Sequence, residues 1–307
     1  MAWTYGRGEL TGIPYTSMRE PGGIAAGIGA LRRSGLSEQL RLRGVHDAGD
    51  LALDEPTGVR GRSGILNEPA LARLVQATRA RVRRAHRVGR RPLLVGGDCP
   101  VLLGALAAIR DDGSTPGLLM VDGHEDAWQP RRSETGEGSN SEIAVALGRV
   151  PYLPPALKRL VPLLDPAALA YLGPRDREEL AGAGVASLRD EVSYFADDVE
   201  TAAALHRGDD PAADAIEALA GEAFWVHVDL DVLASDAFAA VDYPQPGGLG
   251  WEELDRLATT AARSPRCRGT SVSIYNPALD PDGIDARNVV DFLSRLVERC
   301  SPDLATL

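Results

Sequence analysis

Short, wholly apolar runs alternate along the chain with longer stretches whose apolar residues recur at helical spacing. The runs "TGIPY" (11–15), "LLVGG" (93–97), "GLLMVDG" (117–123), "LAYLG" (169–173), "FWVHVDLDV" (224–232) and "TSVSIY" (270–275) read as strands. An apolar run without polar alternation suits a strand covered on both faces, hence a parallel sheet. Helical patterns fall at 68–88, 100–110, 212–221, 251–263 and 286–299; in the last, Val289, Val290, Leu293, Leu296 and Val297 share one face. The repeated strand–helix order predicts one α/β domain over 1–307, doubly wound around a mostly parallel central sheet. The proline-rich stretch 151–166 reads as an ordered connection, the one place where a boundary would fit.

Composition narrows the function more than the fold. A net charge of -11 and few aromatics argue for a soluble protein with neither nucleic acid nor an anionic membrane as partner. No apolar run approaches the roughly 20 residues of a membrane span. The opening "MAWTYGRGEL" lacks a basic segment followed by an apolar one, so no signal peptide is expected. Cys99, Cys267 and Cys300 are too scattered for a disulfide framework, which points to a reducing cytoplasm. Lys158 is the only lysine, a matter of coding bias. Eight arginines crowd 73–91 and read as a solvated helix face. His46, His86 and His206 have no carboxylate neighbours in a ligand pattern.

Candidate chemistry lies where two of the strands end. In "GLLMVDGHEDAW" (117–128), Asp122, His124 and Asp126 are spaced by two, so an extended chain turns all three to one side. Gly123 between them permits close backbone approach. "FWVHVDLDVL" (224–233) repeats the design with Asp229 and Asp231. Burying like charges side by side costs several kcal/mol per ion unless a cation compensates. Ligands of open parallel sheets collect outside the carboxyl ends of the strands. Carboxylates with an imidazole suit Mn, Fe, Co or Zn, and a pair of such ions about 3.5–4 Å apart would clamp and deprotonate a water. A third strand, "RPLLVGGDCPVLLGAL" (91–106), ends in Gly96, Gly97, Asp98 and Cys99 before a helix that Pro100 opens; Asp98 suits a helix start. Cys99 is either a ligand or a small buried hydrophobe. His227, two before Asp229, reads as packing or as support for a ligand.

In their order along the chain, "GGDC", "DGHED", "HVDLDVL", "PQPGGLGWEEL" and "IYNP" resemble the motifs of the ureohydrolase family of arginase, agmatinase and formiminoglutamase. That family reads GGDH, DAHxD, DVDxxDP, a P-x-x-GGL turn and E-x-NP. The N-terminal "TGIPYTSMREPGGIAAGIGALRRSGL" resembles its opening strand and helix, and "YLGPRD" (171–176) its G-x-RD segment. The resemblance covers most of the chain. It implies a three-layer αβα fold, two divalent metal ions (most commonly Mn2+), and hydrolysis of a guanidine or related C–N group of a small molecule, usually in a homo-oligomer.

Carried over by motif, Asp122, Asp126 and Asp229 would hold one ion together with Cys99, where the family has histidine. His124 and Asp231 would hold the other, with Asp122 and Asp229 bridging. A thiolate is softer than imidazole and shifts preference toward Zn2+ or Fe2+. Three departures bear on substrate. The glutamate of E-x-NP, the family's guanidinium anchor, falls on Ile274. The family's histidine near the substrate is absent from "ETGEGSNSEIAV" (134–145), which offers Ser139, Asn140, Ser141 and Glu142 instead. The last aspartate of DVDxxDP is Ala234.

The resulting expectation is a metal-dependent hydrolase that cleaves a guanidine-, hydroxyguanidine- or amidine-like C–N bond. Asp126 would move the proton, Glu142 would supply an acid at the substrate nitrogen, and Asn140, Ser141 and Glu178 would bind substrate. The alternatives are a catalytically silent relative that keeps the metal for structure or assembly, and a deacetylase-like amidohydrolase, which the GGD and P-x-x-GGL motifs disfavour.

Overall fold

The strands join one eight-stranded sheet in the computed structural model, which describes residues 7–301. The leader-peptide reading falls partly on residues 1–6, outside the described residues. The strands are β1 (Gly8–Gly12), β2 (His46–Asp50), β3 (Arg91–Val95), β4 (Pro116–Val121), β5 (Leu169–Leu172), β6 (Tyr194–Ala196), β7 (Ala223–Asp229) and β8 (Cys267–Ser273). Their spatial order is β2-β1-β3-β8-β7-β4-β5-β6, and every pairing is parallel.

Successive residues of each inner strand enter opposite cores, which is why these runs are apolar throughout. On one face Leu93, Val95, Leu119, Val121, Val226 and Val228 pack in one cluster with helix residues Leu254, Leu257, Val289 and Leu293. On the other, Leu94, Leu118, Met120 and Trp225 pack with Leu71, Leu74, Leu102 and Leu106. The first layer is built from α1 (Gly27–Arg33), α2 (Leu36–Leu42) and later helices; the second from α3 (Glu68–Arg87), α4 (Val101–Asp111), the one-turn helix α5 (Glu142–Ala146) and α6 (Pro155–Lys158). After α7 (Arg177–Gly182), helices α8 (Asp198–Arg207), α9 (Pro211–Ala218), α10 (Trp251–Arg263) and α11 (Ile284–Arg299) complete the first layer. The three layers match the αβα expectation.

The structure departs from the sequence pattern mainly at the edges. β6 is only three residues long, and β2 is not an apolar run: it is His46–Asp50, half exposed and paired with β1 alone. β1 begins at Gly8, ahead of "TGIPY", and the buried Ile13 and Tyr15 lie beyond its end. The stretch 151–166 contains α6 and places Leu153, Leu157, Leu160 and Leu163 in the core shared with α3 and α4. Part of the arginine-rich face of α3 is engaged rather than simply solvated: Arg79 reaches Asp111 at 2.6 Å and Arg81 the Ala48 carbonyl at 2.9 Å. All three cysteines are buried and unpaired in disulfides. Among the described residues no helix is long and apolar enough to cross a membrane.

Candidate metal centre

The sheet order sets β3, β8, β7 and β4 side by side, and the carboxyl ends of these strands carry the candidate residues. Cys99 follows β3, Asp122 to Asp126 follow β4, Asp229 and Asp231 close β7, and Ile274 follows β8. Two glycines make this convergence possible. Gly97 has φ +66°, and a Cβ there would lie 2.4 Å from the Ile13 carbonyl oxygen. At Gly123 a Cβ would sit 2.6 Å from the Arg175 guanidinium and 2.8 Å from the Asp231 carboxylate. Both positions admit a hydrogen and nothing larger, as the sequence suggested.

The side chains then meet. His124 Nδ1 lies 2.8 Å from Asp231 Oδ2, and the His124 amide donates to Asp122 Oδ1 at 2.8 Å. The amides of Gly123 and Asp231 donate to Asp231 Oδ1 (3.0 Å) and Asp229 Oδ1 (2.8 Å). Cys99 Sγ donates to Asp229 Oδ2 at 2.7 Å. Ligand atoms of Asp122, Asp126 and Asp229 all lie within 4.8 Å of one another, as do those of Asp122, His124 and Asp231, and those of Cys99, His227 and Asp229. Asp122 belongs to both of the first two groupings, as the motifs imply for a shared residue, whereas Asp229 belongs to only one of them and Cys99 to neither.

Without a cation this arrangement is electrostatically poor. Burial, then the Asp231 charge, pushes the Asp122 carboxyl well above its usual range; burial, then Glu142 and Asp122, does the same to Asp126. Asp229 is raised by burial and by Asp231, and the Cys99 thiol by burial and by Asp229. Burial disfavours the His124 imidazolium, but Asp231 and Asp122 more than offset it and hold its pKa up at about 10. Asp122 Oδ2 is buried with no hydrogen-bond donor. Oxygen-rich donors with one imidazole and one thiol, short of positive charge and of hydrogen-bond donors, fit first-row divalent cations. His227 belongs to the packing: Nδ1 pairs with Ser271 Oγ at 2.6 Å, that oxygen also accepts from Trp225 Nε1, and burial holds the imidazole neutral with a pKa of about 3.

A cleft of about 680 Å³ opens onto this cluster, with His124, Asp126, Asp229 and Asp231 among its lining residues. Of the expected substrate contacts, Asn140 lines it. Ser141 does not: at the start of α5 its hydroxyl turns inward and is buried without a partner, while Ser139 faces the cleft. Glu178 does not either. Helical rotation gives the cleft to the next residue of α7, Glu179, which accepts from Gln245 Nε2 at 3.2 Å. Glu142 is wholly buried and absent from the cleft wall, so it has no access to a substrate nitrogen. Sequence reasoning missed Gln245, whose amide lies 2.9 Å from His124 Nε2, and the neighbouring Asp242 and Tyr243. Their signal was faint: polar residues inside the already noted "DYPQPGG" turn. Asp98, read as a helix-start residue, accepts from the Ser17 amide at 2.8 Å and also borders the cleft. Ile274 lines it with φ +71°, a conformation rare for a β-branched residue.

Fold and donor set together place the chain among three-layer αβα proteins with a candidate metal centre at the strand ends. A model of the arginase family matches residues 9–297, and the chain belongs to that family, whose enzymes hydrolyse linear, non-peptide C–N bonds. Pig arginase-1 is 23% identical over 304 residues, spanning 95% of this chain and 91% of that protein. Arginase of Bacillus caldovelox is 27% identical over 178 residues, 56% of this chain and 58% of that protein; its crystal structure superposes with a TM-score of 0.78 over 97% of this chain and 98% of that one, at 22% identity. Formimidoylglutamase of Bacillus subtilis superposes with a TM-score of 0.72 over 98% and 93%, at 17% identity.

Proposed function

We propose that the protein is a binuclear-metal hydrolase that cleaves a C–N bond of a guanidine-, hydroxyguanidine- or amidine-like small molecule. The observation that carries this reading is the gathering of Asp126, Asp229 and Asp231 at the cleft wall around the buried Asp122, which shares one ligand grouping with Asp126 and Asp229 and another with His124 and Asp231. Asp122 and Asp229 would be shared between two divalent ions, most commonly Mn2+, with Cys99 and Asp126 on one side and His124 and Asp231 on the other. Bound there, such ions offset the carboxylate charge, acidify water and stabilise developing negative charge.

The chain's own residues supply positioning and proton transfer. Asp126 borders both the metal centre and the cleft, so it is placed to take a proton from the attacking water and return it to the departing nitrogen. Asp231 fixes the His124 ring through Nδ1, and Gln245 meets its far side. Asn140 offers an amide from the wall. Ile274 leaves an apolar surface where the family's motif has its anchoring carboxylate, which favours a reactive group that is not gripped as a guanidinium at that point. The same isoleucine, with the absence of a histidine from 134–145, favours a catalytically silent metal-binding protein.

The test is amine release from a panel of guanidines, hydroxyguanidines, amidines and formimino compounds by Mn2+-loaded protein, with Asp126→Asn as control. Metal-dependent turnover that Asp126→Asn lowers about 100-fold or more supports the proposal. No release from any compound by protein carrying two ions per chain sinks it in favour of the silent reading.

A further inference from the structure

One buried acid next to the centre has a place in neither the motif pattern nor the proton transfer described above. Glu142 opens α5 with zero exposure, and its carboxylate meets no donor other than the Asp126 carboxyl and its own amide. Its position is well determined by the backbone: the Ile143 amide donates to the Asp126 carbonyl at 3.2 Å and the Trp128 amide to the Asn140 carbonyl at 2.9 Å, clamping the start of α5 against the loop after β4. Ligand atoms of Glu142, Asp126 and Cys99 all lie within 4.8 Å of one another. Asp126 reaches the cleft from this trio; Cys99 and Glu142 stay behind it. Two carboxylates side by side in a protein interior are tolerated only if they share a proton or a cation.

We infer that Glu142 is a metal ligand: the ion on the Cys99 side is held by Cys99, Asp126 and Glu142, a thiol with an additional carboxylate standing where the motif pattern supplies one histidine. Three features support this assignment over a substrate-facing acid. Glu142 has no path to the cleft. Its partners are confined to the Asp126 carboxyl and its own amide, with no cation or distant donor to make it a structural anchor. Its carboxylate compensates for the softer thiol with a hard oxygen, keeping the site suited to Mn2+, Fe2+ or Co2+ despite the sulfur. The inference rests on the metal centre proposed above, but it is tested by ion binding and not by turnover.

The experiment loads the full-length chain with Co2+ and counts bound ions by mass spectrometry after chelator competition, for wild type, Glu142→Gln and Glu142→Asp. The expected result is two ions for wild type. In Glu142→Gln one ion is weakened about tenfold or more, and the thiolate-to-cobalt absorption of Cys99 is lost or shifted, while the second ion keeps its affinity. Two ions bound to Glu142→Gln with wild-type affinity and an unchanged sulfur band would overturn the inference and leave the metal centre standing. No ions on wild type would remove the metal centre as well. Should Glu142→Gln fail to fold, Glu142→Asp decides: one Co2+ weakened with a changed sulfur band supports ligation, and two ions at wild-type affinity with an unchanged band refute it.

Discussion

At Gly123 a hydrogen atom is the only side chain that the centre accommodates. Its amide donates to Asp231 and its Cα faces the Arg175 guanidinium, which in turn holds the Asp231 carbonyl at 2.6 Å. Gly123→Ala would press a methyl group against Asp231 and Arg175, and overpacking of this kind costs about 1–3 kcal/mol. Denaturant unfolding should show that loss together with weaker ion binding; a variant with unchanged stability and affinity would contradict the packing described. At this scale the sequence was informative about spacing and less so about direction. The acids do come near one another, but not by strand alternation: Asp122 to Asp126 follow β4 in a bend with Asp126 at φ +48°, and Asp231 lies in a 3-10 turn after β7. Ser141 and Glu178 were one residue out of step with the cleft, because a side chain's direction on a one- or two-turn helix depends on where the helix starts, and short polar segments do not reveal that. The buried position of Glu142 was equally hidden: an acid ahead of an apolar run has the pattern of an ordinary helix start.

The inner strands β3, β4, β5 and β7 were legible as elements because each feeds two cores and so reads as a mostly apolar run, whereas β8 (CRGTSVS) is buried but largely polar. The edge strands were not. β6 is only three residues long, and β2 is held partly by charge: Arg32 of α1 pairs with Asp47 and, at 2.8 Å, with Asp50. Burial alone would raise the Asp47 carboxyl, but hydrogen bonds from Arg32, Ser37 and the Gly49 amide draw its pKa down to about 2. A folded-state value below the unfolded one, about 3.9, contributes stability that is complete above that value and lost as pH falls toward 2. Acid titration of Asp47→Asn should show it less stable than wild type at pH 6, with the difference shrinking below pH 4 and gone by about pH 2. A constant difference across that range would show that the Arg32 tie does not control this edge.

Across the whole molecule, the carboxylate cluster sets stability against ion capture. In the ion-free protein the buried acids repel one another, so Asp122→Asn should raise the melting temperature by the equivalent of about 0.5–2 kcal/mol. Added Mn2+ should stabilise wild type, by about 2.7 kcal/mol at a free concentration 100 times the dissociation constant, and stabilise Asp122→Asn much less. Calorimetry with and without chelator checks both, and a wild-type melting temperature indifferent to Mn2+ would argue against a cation site. The same organisation has a consequence for assembly. The donors run from Cys99 to Asp231, and β7 is wedged between β8 and β4, so neither a proteolytic fragment nor a half-synthesised chain carries the complete set. A chain half this length holds Cys99 and the acids after β4 but neither Asp229 nor Asp231, so an ion at the proposed centre would be taken up only once β7 has joined β4.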